Sequence, residues 1–399
     1  MADKRILLIS HDMTVTGAPN SLLRHAKYLL DIGYKIDVWT LDDGDLMKKW
    51  ESCGFAPEIV PTTSDKIKNK VDACVHKYDL VICNTVVTYE YAYFWQQSKT
   101  PVIWFIRETV FLDMWYARNF RFAAIFKEFY NLYCPSKYAA KCISLYNKNV
   151  RVVPNSTLDT FSGFTQLIDC VRFGFLGSAI HIKGIDILVP AFIKAQKRIQ
   201  NIKLSIAGCA QTKLGIRLQK KYSHARGISW LGELRGADKQ AFFDSIDVLV
   251  VPSREESFGL SIIEGAMRGK AIITTDKVGA NFIVGSSAGI IVKSCSTRSL
   301  TRAIIKMSRM TTSELHSYQC NARNNYLQFG SIGVERSGVI NMVEDNLHNV
   351  PTYNDISKSF IYNSCAKSKF LQCLRKPAVN LWLFMHGRGK WTKTGSKYF

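Results

Sequence analysis

The 399-residue chain has no apolar run approaching the ~20 residues that a membrane-spanning helix requires, which argues against a span. None of its 11 cysteines forms a Cys-x-x-Cys pair and their number is odd, so reduced, mostly buried thiols are expected rather than a disulfide framework. There is no Gly-x-Gly-x-x-Gly, which argues against a dinucleotide site. No His-Glu-x-x-His or similar ligand cluster is present, so neither a metal nor another cofactor is expected. The first ten residues hold an early acid and only a short apolar stretch, which reads as a first strand and not as a signal peptide. A cytoplasmic location is therefore expected, where Asn155-Ser156-Thr157 would not be glycosylated. Acid is scarce: 32 Asp and Glu against 53 Lys and Arg give a net charge of +21, and residues 359–399 have no acid at all. Such charge suits nucleic acid, an anionic membrane surface or a polyanionic substrate, but no compact nucleic-acid recognition motif is present. The length and a 47% hydrophobic content suffice for two domains.

The most informative stretch is residues 247–276. Val248-Leu-Val-Val is a β-branched run suited to a buried parallel strand, and Pro252-Ser253 ends it. A helix is expected from about Ser257 to Arg268, with Gly269 as its stop, and a strand resumes over 270–275. The loop then lies at the carboxyl end of a parallel strand, where open α/β sheets bind ligands. Gly259 permits close approach, and the first amides of the helix suit an anion. Glu256 before the helix and Glu264 within it suit hydroxyl groups, since carboxylates repel phosphate. A phosphate flanked by hydroxyl-bearing groups describes a nucleotide-sugar.

Glu256, then Ser-Phe-Gly-Leu-Ser-Ile-Ile, then Glu264 followed by Gly-Ala-Met-Arg-Gly resembles the signature of the retaining GT-B glycosyltransferases of family 4, also termed glycosyl transferases group 1. The resemblance covers roughly residues 1–345. It implies an α/β fold of two Rossmann-like domains whose parallel sheets face each other across a cleft holding the donor. The divisions it suggests are 1–156 on the acceptor side, a hinge at 157–170, a nucleotide-sugar domain at 171–345, and a basic tail at 346–399 packing back on the first domain or facing a membrane. It implies metal-independent transfer from a nucleotide-sugar to a glycan or lipid-linked acceptor in surface polysaccharide or glycolipid assembly. The candidate catalytic residues are Glu256 and Lys183, by resemblance, and Arg107, while by resemblance Gly17, Lys183, Ser257, Phe258, Gly259, Leu260 and Glu264 bind donor.

Two positions depart from the pattern. The family's arginine ahead of Lys183-Gly184 is replaced by Ser178, so another cation, Arg107 or Arg254, would have to serve, or activity is impaired. Arg107 stands where relatives often have a histidine. It cannot act as a base, and either clamps a phosphate or anionic acceptor group or forms a structural ion pair. The aromatic stretch 111–133 reads either as core or as a membrane-dipping surface. Asp43-Gly-Asp45 reads as a turn rather than a metal motif. Residues 359–399, with eight cations and Trp382, Phe384 and Trp391, suit an anionic membrane or a solvated basic tail. An epimerase of the same architecture and a catalytically impaired binding protein are the rival readings.

Overall fold

A computed structural model describes residues 4–348 apart from Phe111, Thr165, Asp169 and residues 209–211. The basic tail therefore lies outside the described residues. The described residues divide into two units, one formed by 4–154 with 336–348, the other by Asn155–Glu335. Each is a Rossmann-like α/β unit, as the resemblance implied.

The first unit has seven strands: β1 (Arg5–Ser10), β2 (Lys35–Thr40), β3 (Glu58–Ile59), β4 (Leu80–Asn84), β5 (Val102–Phe105), β6 (Leu132–Cys134) and β7 (Val150–Val152). They pair in parallel in the order β3-β2-β1-β4-β5-β6-β7. β1, β4 and β5 are almost wholly apolar and buried because helices cover both sheet faces. The aromatic stretch is core: the Trp104 ring meets Phe122, Phe126 and Phe129 edge-on at 5.8, 5.4 and 5.2 Å. Its interleaved Arg121 pairs with Glu90 at 2.9 Å. The membrane-dipping alternative for this stretch is thereby corrected, since its large rings are spent on packing. The last described helix, Ile332–His348, sends Asn346 into this unit, where its amide donates to the Tyr133 hydroxyl and its carbonyl accepts from Asn131.

The second unit has six strands: β8 (Val171–Leu176), β9 (Ile202–Ala207), β10 (Ile228–Gly232), β11 (Val248–Val251), β12 (Ala271–Thr275) and β13 (Gly289–Val292). They run in parallel in the order β10-β9-β8-β11-β12-β13. Strand order reverses between β1 and β4 in one sheet and between β8 and β11 in the other. Each reversal opens a crevice at the carboxyl edge, where ligands of such sheets bind. Residues 156–164 lie on the second unit: Arg323 grips Asp159 through two bonds of 2.8 and 2.6 Å, and Phe164 lies so close to Gly269 that a Cβ there would meet it at 2.5 Å. No helix among the described residues is long and apolar enough to cross a membrane.

Candidate functional site

The reversal between β8 and β11 brings together two loops. After β8 the chain makes a 3-10 turn, His181–Lys183, and passes through Gly184 at φ +69°. A Cβ on Gly184 would sit 2.1 Å from the Pro252 carbonyl oxygen, so only glycine fits against the end of β11. That contact fixes the lysine before it. Lys183 Nζ lies 2.6 Å from Glu256 Oε1, while the Ser253 hydroxyl donates to Glu256 Oε2 at 3.0 Å. The two loops are also stapled by Arg254. Its amide donates to Ile182 O at 2.7 Å, and its guanidinium grips Asp186 through two bonds of 2.8 Å. Arg254 is thus committed to a clip and does not fill the place vacated at Ser178, which is exposed on the loop.

The helix begins at Leu260, three residues later than the sequence pattern suggests, and ends at Met267, one residue earlier. Gly259 at φ +104° caps it, and a Cβ there would meet Val278 at 2.8 Å. Residues 256–258 instead pair with the loop after β12: Glu256 N donates to Lys277 O at 3.0 Å, Gly279 N to Glu256 O at 3.0 Å, and Ala280 N to Phe258 O at 2.6 Å. Ser257 and Phe258 therefore precede the helix, and Phe258 is buried beneath its tip. Ile262 N donates to Gly259 O at 3.0 Å, and the two helical amides before it, of Leu260 and Ser261, have no intrahelical acceptor and are available to an anion. At the other end Lys270 N donates to Gly265 O and Gly269 N to Ala266 O, with Gly269 at φ +62°, a full Schellman stop at the expected glycine. Glu264 lies little more than one turn inside the helix. Its Oε1 is held 2.7 Å from Lys239 Nζ, from the helix Gly236–Asp244. Lys239 was missed by sequence reasoning, because nothing local links it to a residue 25 positions away.

Gly17 and Arg107 belong to the other unit. Gly17 is the exposed first residue of the helix Gly17–Asp31, after a loop in which Asp12 accepts from the Thr14 amide and hydroxyl. His11 in this loop, mostly but not fully buried, has its basicity lowered, chiefly by desolvation and against the attraction of Asp12. Arg107 Nε donates to Asn84 Oδ1 at 2.9 Å, and its guanidinium stacks over Phe105 at 3.7 Å. Asn84 in turn donates to Ala18 O at 3.3 Å. Glu108 accepts from the amides of Val86 at 3.1 Å and Arg107 at 3.0 Å. Burial pushes its carboxyl up to about 7 despite those bonds and the Arg107 charge. Asp43-Gly-Asp45 is a turn whose glycine lies against the Met13 carbonyl. Among the described residues no three His, Cys, Asp or Glu side chains form a metal cluster.

Residues 2–126 match the family model for glycosyl-transferase family 4, and residues 170–309 that for glycosyl transferases group 1. Among curated proteins, the D-rhamnosyltransferase WbpZ of Pseudomonas aeruginosa is 29% identical over 30% of this chain, and the capsular polysaccharide biosynthesis glycosyltransferase CapM of Staphylococcus aureus 25% over 35%. The chain spans only 31% and 37% of the lengths of these relatives. Solved structures are covered far more fully. Anabaena HepE in complex with UDP-glucose matches with a TM-score of 0.72 at 17% identity, over 86% of this chain and 99% of that one. The lipopolysaccharide outer core galactosyltransferase WaaB, in its apo form, matches with 0.70 at 14%, over 86% and 99%. At those identities the likeness speaks for the fold. With both units matched to the same family and both sheets to its architecture, the chain belongs to the GT-B glycosyltransferases of family 4 and group 1.

Proposed function

We propose that this protein is a retaining glycosyltransferase that moves a sugar from a nucleotide-sugar to a glycan or lipid-linked acceptor, without a metal, in surface polysaccharide or glycolipid assembly. The observation that carries the reading is the Lys183–Glu256 pair at the β8/β11 reversal, beside the tip of the helix Leu260–Met267. Lys183 and the amides at Gly259 and Leu260 offer positive charge to a diphosphate. They stabilise the charge that grows as the sugar–phosphate bond breaks, the electrostatic contribution that usually dominates. Glu256, turned toward Lys183 and Ser253, accepts hydrogen bonds from sugar hydroxyls and orients the anomeric carbon. Glu264, positioned by Lys239, takes the ribose. In the retaining reading the acceptor hydroxyl attacks on the face the diphosphate leaves, and a departing phosphate oxygen takes its proton. HepE was solved with UDP-glucose, and CapM is named for capsular polysaccharide biosynthesis, which supports a nucleotide-sugar donor and a glycan acceptor.

The test is a screen of nucleotide-sugars by thermal shift, then of donor–acceptor pairs by mass spectrometry, with the anomeric configuration of the product read by NMR. Transfer with retention supports the reading, and inversion overturns the mechanism. Product from donor alone would indicate an epimerase. A binding protein that has lost catalysis is the second reading. It is favoured by Ser178 together with the commitment of Arg254 to Asp186, and donor binding without transfer or hydrolysis would establish it.

A further inference from the structure

A net charge of +21 is far more than one diphosphate calls for, and in the second unit it is concentrated on one layer. The helices Ile185–Gln196, Lys213–Lys221 and Thr297–Ser308 share one core, built from Phe192, Leu218, Leu300 and Ile304. The helix Leu260–Met267 packs in the other core, with Phe242 and Ile262. The first and third adjoin directly, the Thr301 hydroxyl donating to Ala191 O at 3.3 Å, and the second lies over the same core, the loop after it accepting a 2.9 Å bond at Arg226 O from Gln196 Nε2 at the end of the first.

Residues 187–232 and 277–313 contain no Asp or Glu. On Thr297–Ser308 the exposed Arg298, Arg302 and Lys306 fall at intervals of four, with exposed Arg309 just beyond. Like charges so spaced weaken a helix, so packing of Leu300, Ile304 and Met307 maintains this one. On Lys213–Lys221 the exposed cations are Lys213, Arg217, Lys220 and Lys221. The end of the first helix adds Lys194, Lys197 and Arg198. Among the described residues none of these cations has an ion-pair partner. The one acid on the three helices, Asp186, is held by Arg254.

A face of single sign, kept by tertiary packing against its own repulsion, fits a polyanion. The apolar side chain exposed amid its cations is Ile216, at 56%. An aliphatic group enters the acyl boundary of a bilayer but offers no ring to stack on a base. We propose that this three-helix face docks on an anionic phospholipid bilayer. The inference does not depend on the transferase reading, because these helices are distinct from the Lys183–Glu256 loops, and its readout is binding rather than turnover.

The test is co-sedimentation of the full-length protein with phosphatidylcholine vesicles, with and without phosphatidylglycerol. Binding is expected only with phosphatidylglycerol and should weaken as salt rises. The combined variant Arg217→Gln, Lys220→Gln, Arg302→Gln, Lys306→Gln should lose about thirtyfold or more in vesicle affinity, given the contribution of each cation near an anionic leaflet. Its melting temperature should be no lower than that of the wild type, since repulsion along the helix is relieved, and Ile216→Ser alone should weaken binding severalfold. Unaltered vesicle affinity in the four-site variant overturns the proposal, as would loss of all binding on changing Arg388, Lys390, Lys393 and Lys397 to Gln. Tighter binding to a single-stranded oligonucleotide than to vesicles, at equal salt and abolished by the same four changes, would replace the bilayer with nucleic acid.

Discussion

At the carboxyl edge of the second sheet, charges are paired across elements and partly exposed, Lys183 with Glu256 and Lys239 with Glu264. At the same edge of the first sheet the charged groups are tied to their own surroundings instead, although the two residues are only partly buried. Glu108 is held by two backbone amides, and Arg107 lies flat on Phe105 against Asn84. A partly exposed ion pair contributes little to stability, so either partner can exchange the other for a ligand at small cost. A buried carboxyl bonded to amides has no such freedom, and its energetic effect falls on the fold. One architecture thus places exchangeable charge at one strand reversal and fixed charge at the other.

The comparison breaks most directly at the exchangeable pair. Lys183→Ala and Glu256→Ala should each lower transfer by about 10²–10³-fold, the scale for removing one electrostatic stabiliser, with melting temperatures close to wild type. Wild-type turnover by either would remove that edge as the site. Gly184→Ala is the next largest effect. The added methyl faces the Pro252 carbonyl in a left-handed conformation, so roughly 3 kcal/mol of stability should be lost. Activity should fall with it, because the loop carries Lys183. Denaturant melts and a donor-binding assay check this, and a fully stable, active variant would show that the Gly184 contact does not position the lysine.

The fixed side of the comparison is tested by pH. The Glu108 carboxyl titrates near 4.5 when unfolded and at about 7 in the fold. The folded form therefore holds the proton more tightly. Its stabilising contribution is complete below pH 4.5 and is lost as pH rises through 7. The expected loss is on the order of 2–3 kcal/mol. Glu108→Gln keeps an acceptor for the Val86 and Arg107 amides and removes the titration. Protection of those two amides against hydrogen exchange should then stop falling between pH 5 and pH 8 relative to wild type. Equal pH slopes in both proteins would mean that Glu108 does not titrate in that range.

What was legible in the chain follows from whether the cause is local. β1 and β11 fall at the residues expected, because short apolar runs bounded by polar or proline residues have one good solution in a buried parallel sheet. The Gly269 stop was legible for the same reason. The helix start was not: Glu256 and Phe258 are drawn into pairing with residues 277–280, a partner some twenty positions away that no local pattern discloses. The 18-residue helix Thr312–Phe329 went unread since its buried positions, Leu315, Gln319, Ala322 and Tyr326, include only two large apolar residues. Thr311 and Glu314 form a capping box that would have marked it. The two glutamates were visible as a spacing, but the lysines that hold them arrive from other elements, Lys183 from the turn after β8 and Lys239 from the helix Gly236–Asp244. Lys183 was found by resemblance, and Lys239 had no signal.

Lys239 also sets the smallest effect and the sharpest test of exchangeable charge. If its role is to hold Glu264 ready for the ribose, Lys239→Ala removes a partly exposed pair worth about 0.2–1 kcal/mol. The donor KM should then rise no more than about fivefold with kcat unchanged, the signature of lost uniform binding. The melting temperature should be unmoved. A fall in kcat at constant KM would instead place the pair in the transition state. Glu264 would then belong with Glu256 in the chemistry and not with the nucleotide, and the division of labour between the two glutamates would have to be redrawn.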